Sequence, residues 1–517
     1  MKRFSLSILV LLLFTFCACS SLKKSAAENS DNEAPKIQTV VAEKSEQRKQ
    51  ISLKNGPVKS VGPDGEKNRL SKKGKAKYHR KVTPAWAKNA TIYEVNLRQY
   101  SEAGDFTSFN NHLDRLKEMG VDILWFMPIY PISREKRKGS LGSCYSVADY
   151  KGVNPEHGTI EDFKKTVQLA HSKGMKVILD WVADHTGKDN HLIKDHPHWY
   201  GERAGKSILS EDVLELNYEE KALWEYQIAA MKYWVEECDI DGFRCDGAGM
   251  VPLDFWNEAR EELEKVKPVF MLAEGDDPKL HKKAFDMSYS SAFYDMMNSL
   301  YKGEKTAHDV ATYLERDQTR FGQDAYRLNF ISNHDENSQV GTVWERMGKE
   351  APYCMAVLSA VAPGMPLLYT GQEVGLDRRL KSYDKDSVDW SQKDHPMGEL
   401  YKKLFALKHE NPVMANGDFR GRGGNFTVKI DSSNSALLSF QRTYLEVLNE
   451  SRSANTVTAI FNLSEEEITV DKLPFLVYGQ IEYFTGEMLM TRSRFGQESG
   501  QNFKLKPWEY RIYVAKN

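Results

Sequence analysis

Four short apolar runs in the middle of the chain each lead into an acidic residue. Val177-Ile178-Leu179 runs into Asp180-Trp181-Val182-Ala183-Asp184-His185, and Ile240 stands before Gly242-Phe243-Arg244-Cys245-Asp246. Val269-Phe270-Met271-Leu272 is followed by Ala273-Glu274-Gly275, and Leu328-Asn329-Phe330-Ile331 by Asn333-His334-Asp335. Short runs of β-branched, aliphatic and aromatic residues are the pattern of strands buried on both faces, as in a parallel sheet. Asp246 and Glu274 are 28 residues apart, about one strand–helix–strand unit, and Glu274 and Asp335 are 61 apart, about two. Carboxylates ending successive strands at that spacing predict a (β/α)8 barrel with its chemistry at the C-terminal ends of the strands.

The flanking pattern extends the barrel in both directions. Residues 91–95 and 122–127 predict its first two strands. Between them Phe109, Leu113, Leu116 and Met119 fall on one helical face, and Gly120 closes that helix. Residues 161–173 predict the next helix, with Gly174 after it. Only 31 residues separate His185 from Asn217, so the insertion after the third strand is short and leaves the cleft open on that side. Residues 364–369 predict the eighth strand and 400–408 the last helix, ended at Asn411-Pro412. Beyond that, short alternating segments at 425–430, 436–442, 456–462, 480–484 and 510–514 predict an antiparallel sandwich.

The N-terminus follows another pattern. Met1-Lys2-Arg3 precedes an apolar run over 4–16, too short to span a bilayer as a mature helix. Ala18-Cys19-Ser20-Ser21 then resembles a bacterial lipoprotein cleavage site, with Cys19 as the lipidated residue of an exported, membrane-attached protein. Residues 20–80 are polar and predict a flexible tether. The expected division is a signal peptide over 1–18, a tether over 19–82, the barrel over 83–412 with its insertion at about 186–220, and the sandwich over 413–517. The 71 Lys and Arg nearly balance 73 Asp and Glu, which gives no basic surface for nucleic acid. Cys144, Cys238, Cys245 and Cys354 show no metal-ligand spacing and read as buried free thiols.

Taken together, the acidic cassettes resemble those of the α-amylase family, glycoside hydrolase family 13. Tyr145-Ser146-Val147-Ala148-Asp149-Tyr150, Leu216-Asn217 and Gly364-Met365-Pro366-Leu367-Leu368-Tyr369 add to the match. The resemblance implies Asp246 as nucleophile, Glu274 as acid/base and Asp335 as the third carboxylate. It implies Tyr145, His185, Arg244 and His334 as substrate-binding residues, with Asp180 in support. The implied substrate is an α-glucan such as starch or maltodextrin, with no organic cofactor. Arg244, two residues before Asp246 on one strand, points to the same side and should orient and ionise it.

Two departures from the family pattern bear on specificity. Asp184 stands where many members carry a calcium-binding Asn, which makes it a candidate calcium ligand. Gly247-Ala248-Gly249-Met250 lacks the Lys-His pair that many α-amylases use beyond the cleaved bond. The leading expectation is an endo-acting α-amylase cleaving α-1,4 bonds. The alternatives are a neopullulanase or cyclomaltodextrinase, an α-glucosidase, and a starch-binding lipoprotein without turnover.

Overall fold

The computed structural model describes residues 83–201, 210–322, 324–417, 425–430, 434–448, 451–470, 475, 480–487 and 503–516. The signal peptide, the tether and Cys19 lie outside the described residues.

The strands run, in chain order, β1 (Ile92–Val95), β2 (Ile123–Phe126), β3 (Lys176–Val182), β4 (His185–Gly187), β5 (Val213–Glu215), β6 (Gly242–Asp246), β7 (Phe270–Ala273), β8 (Met287–Tyr289), β9 (Tyr326–Asn329) and β10 (Met365–Tyr369). Eight of them close a parallel barrel in the order β1-β10-β9-β8-β7-β6-β3-β2. This is the (β/α)8 architecture that the spacing of the acidic cassettes predicts. The barrel strands are buried almost throughout, which is why they read as apolar runs rather than alternating ones. β4 and β5 pair antiparallel and form the small insertion after β3.

The helix expected around Phe109–Met119 is two helices, Phe106–Asn110 and Leu113–Met119. Asp105 caps the first by accepting from Ser108 N, and the His112 ring at the break packs edge-on against Tyr100. All four residues of the anticipated apolar face are nonetheless buried. The last barrel helix spans Pro396–Glu410 and begins earlier than its apolar pattern does. Its Lys408 is buried and gives Nζ donors to Gly364 O at 3.2 Å, Met414 O at 2.7 Å and Asn416 Oδ1 at 2.8 Å. One side chain thus ties the helix both to the turn before β10 and to the segment leaving the barrel.

Past that helix lie β11 (Asn425–Ile430), β12 (Leu437–Leu448), β13 (Ser451–Asn462), β14 (Ile468–Val470), β15 (Ile481–Glu482), β16 (Phe503–Leu505) and β17 (Tyr510–Lys516). They form a five-stranded antiparallel sheet, β11-β12-β13-β17-β15, and a two-stranded ribbon, β14-β16. Strand alternation divides the sheet's faces. Leu438, Phe440, Ala459, Phe461 and Ile512 join the apolar cluster of the barrel. Leu437, Ile460 and Tyr513 face the ribbon with Ile468, Val470 and Leu505. Arg442, buried on the barrel side, donates to Val361 O and Ala415 O, both at 3.2 Å. The four cysteines among the described residues are free, and all but the half-buried Cys144 are buried.

Candidate active site

The site is assembled around one guanidinium. Arg244 sits mid-strand in β6 and is completely buried. Its Nη1 donates to Asp180 Oδ1 at 2.8 Å and to Asp246 Oδ1 at 2.7 Å, and its Nη2 lies 3.2 Å from Glu274 Oε2. Its Nε donates to Tyr289 Oη at 3.2 Å, and the rings of Trp125, Tyr145 and Tyr289 surround it at 5.2–5.9 Å. A cation so enclosed is held by its partners and cannot swing to solvent. β3, β6 and β7 are neighbours in the barrel, so Asp180, Asp246 and Glu274 reach this one cation from three strands. The side chains of Asp246 and Glu274 keep 17% and 15% of their surface open to the cleft, unlike the fully buried Asp180.

Gly247 follows Asp246 in a left-handed conformation, φ 52°. Its N–H donates to Glu274 Oε2 at 2.7 Å, and Glu274 N donates to Cys245 O at 3.0 Å. The two carboxylates are therefore fixed by the same turn as well as by Arg244. Burial pushes the Asp246 carboxyl up; the Arg244 guanidinium opposes this, and Glu274 and Asp184 add to the rise.

The other side of the site is a hydrogen-bonded chain. Tyr145 Oη donates to Asp180 Oδ2 at 3.0 Å and lies 2.8 Å from His334 Nε2, with the two rings stacked at 5.3 Å. His334 Nδ1 lies 2.5 Å from Glu94 Oε1, and its Nε2 is 3.5 Å from Asp335 Oδ2. Both ring nitrogens of His334 thus have a carboxylate oxygen within 3.5 Å, an arrangement that favours the imidazolium. Consistently, and against burial, Asp335 and Glu94 push His334 up to about 10. Asp335 is 43% exposed and accepts from Gln339 Nε2 at 2.6 Å.

Glu94 is the residue that the sequence pattern missed. It is fully buried in β1, and its only sequence signal is a carboxylate inside an apolar strand. The structure brings the remaining candidates together: Tyr145, His185, Arg244, Asp246, Glu274, His334 and Asp335 all lie at the C-terminal end of the barrel, linked through Asp180, Arg244 and Tyr145.

Asp184, His185 and Asp246 form the one cluster among the described residues whose donor atoms converge as a metal site does, all within 4.8 Å of one another. Asp184 Oδ1 is 2.9 Å from His185 Nδ1, and His185 Nε2 lies 3.0 Å from Tyr145 O. Against burial, Asp184 pushes His185 up to about 9. Calcium takes about six to eight oxygen ligands; Asp184 and Asp246 offer carboxylate oxygens here, and Asp184 also faces His185 Nδ1.

A profile of the alpha-amylase catalytic domain matches residues 94–207 and 199–399. The chain belongs to the alpha-amylase family. It is 25% identical over 372 residues to an alpha-amylase of Haloarcula japonica, covering 68% of this chain and 54% of that protein. The chain thus spans about half the length of that relative. It is also 25% identical over 441 residues to neopullulanase 2 of Thermoactinomyces vulgaris, covering 72% and 73%. Its fold superposes on the crystal structure of a maltogenic alpha-amylase from Thermotoga neapolitana with a TM-score of 0.72 and 28% identity, over 83% of this chain and 98% of that one.

Proposed function

We propose that this chain hydrolyses α-1,4-glucosidic bonds of starch-derived maltodextrins with retention of anomeric configuration. The observation that carries the reading is the contact of one buried Arg244 with both Asp246 and Glu274. Retaining glycosidases need two carboxyl groups about 5 Å apart, one ionised and one protonated. In this reading Asp246, 2.7 Å from Arg244 Nη1, carries the charge and Glu274 carries the proton. Asp246 attacks the anomeric carbon while Glu274 gives its proton to the glycosidic oxygen, and the bond to the leaving sugar breaks. Water then loses a proton to Glu274 and attacks the same carbon, which frees Asp246. Asp335 and the His334 imidazolium bind hydroxyls of the reacting ring and tighten as it flattens.

NMR of the first product tests the mechanism. The α-anomer is expected from an α-linked maltooligosaccharide, and initial release of the β-anomer rejects the double displacement. A related neopullulanase and a related maltogenic amylase keep those activities open as second readings, and product profiles on pullulan and cyclodextrin separate them.

Glu94→Gln removes one of the two carboxylates that hold His334 protonated. With less to oppose burial, the His334 pKa falls, and the imidazolium is lost at lower pH. NMR titration of the His334 ring should show its pKa moved down by about one unit or more relative to wild type. An unshifted ring titration would count against Glu94 as the group that holds His334 protonated. Attachment to a membrane through Cys19, on the exported side, rests on the N-terminal motif. Cys19→Ala should move the protein from the membrane to the soluble fraction at unchanged specific activity, and equal fractionation of both forms rejects the anchor.

A further inference from the structure

The loops after β2 and β10 meet across one end of the cleft, and the chemistry says which end it is. This inference rests on the roles proposed above. The departing sugar lies on the side of Glu274, which protonates its oxygen. Tyr145, His334 and Asp335 surround the reacting sugar on the opposite side. A narrow recess opens from these three residues and runs to Lys381 and Tyr383, and Glu274 takes no part in lining it.

Hydrogen bonds between loops bridge the far side of the recess. Leu141 N donates to Tyr383 O at 2.9 Å, and Ser140 N and Oγ both donate to Asp384 Oδ1 at 2.7 Å. Gln99 Nε2, from the helical turn Leu97–Tyr100 after β1, donates to Lys381 O and Asp384 O, each at 2.7 Å. Lys138 Nζ stands 5.4 Å over the Tyr383 ring and 3.0 Å from Asp212 in the small insertion after β3. The loops after β1, β2, β3 and β10 thus join into one continuous wall. The short insertion was expected to leave the cleft open on its side, but this wall crosses behind the reacting sugar.

We propose that this wall seats the non-reducing end of the α-glucan, so that the enzyme works from chain ends and releases a short product of fixed length. The test compares 4-nitrophenyl maltoheptaoside with the same compound blocked at its non-reducing end by a 4,6-ethylidene group, with products followed by chromatography. The unblocked substrate should yield one short oligosaccharide first, and the blocked one should react slower by about tenfold or more, as expected for a group that a pocket cannot admit. The double variant Lys138→Ala, Asp384→Ala removes ties without altering a residue that lines the recess, and it should raise the blocked-to-unblocked rate ratio. Equal rates on the two substrates, or a mixture of internal fragments from the start, overturn the wall while leaving the hydrolase reading intact. Turnover of neither substrate overturns the hydrolase reading and this inference with it.

Discussion

Asp246→Asn is expected to lower kcat/KM on maltoheptaose by about 10⁴-fold or more, about 5.4 kcal/mol of transition-state stabilisation. The substitution changes one oxygen to a nitrogen at constant volume. Arg244 can still donate to the amide oxygen, and its other contacts with Asp180 at 2.8 Å and Tyr289 at 3.2 Å hold it in place. The barrel should therefore keep its melting temperature and its affinity for maltodextrin. What disappears is the ionised oxygen that bonds to the anomeric carbon, and no neighbour can substitute. Asp180 is sealed beneath Arg244 with no exposed surface. Asp184 is turned to His185. Progress curves with purified protein and a thermal melt of the same sample check both halves of the expectation. Activity within tenfold of wild type removes Asp246 from the role of nucleophile.

The parts of this site that could be read along the chain share a simple physical cause. Asp180, Arg244, Asp246 and Glu274 sit in or just beyond strands buried on both faces, where a charged residue stands out against its apolar neighbours. The eight-stranded barrel is legible for the same reason. Glu94 stands out in the same way within Ile92–Val95, but its meaning depends on His334, 240 residues away. A lone buried carboxylate does not reveal its partner. The wall behind the reacting sugar is less legible still. Ser140 and Asp384 are separated by 244 residues, and both lie in polar loops with no period to read. Backbone donors and acceptors make much of the tie, and these are common to nearly every sequence. β12 and β13 show a related effect. Their apolar alternation marks 436–442 and 456–462, yet pairing continues to Leu448 and Ser451, because ladder hydrogen bonds carry a hairpin beyond its apolar part. The ribbon of β14 and β16 is three residues per strand and falls below what alternation can detect.

Glu274→Gln is expected to separate the two steps of the reaction. On a maltodextrin the leaving group is a sugar alkoxide that needs a proton, and loss of the acid should cost about 10²–10⁴-fold. On 4-nitrophenyl α-maltoside the leaving group departs as a stable phenolate, so bond cleavage needs little acid help. The amide oxygen of the substituted side chain can keep the hydrogen bond from Gly247 N, which is 2.7 Å to the Glu274 carboxylate. The turn that also positions Asp246 is thereby preserved. The first step on the aryl substrate should then stay fast. The second step still needs a base to take a proton from water, and that base is gone. The glycosyl–Asp246 ester should accumulate, giving a burst of nitrophenol close to one per enzyme followed by slow turnover. The same sample should gain the mass of one maltosyl group by intact-protein mass spectrometry. A loss of equal size on both substrates, with no burst and no added mass, would mean that Glu274 shapes the site without moving the proton. The burst is the sharper observation, because weakened substrate binding alone cannot produce it.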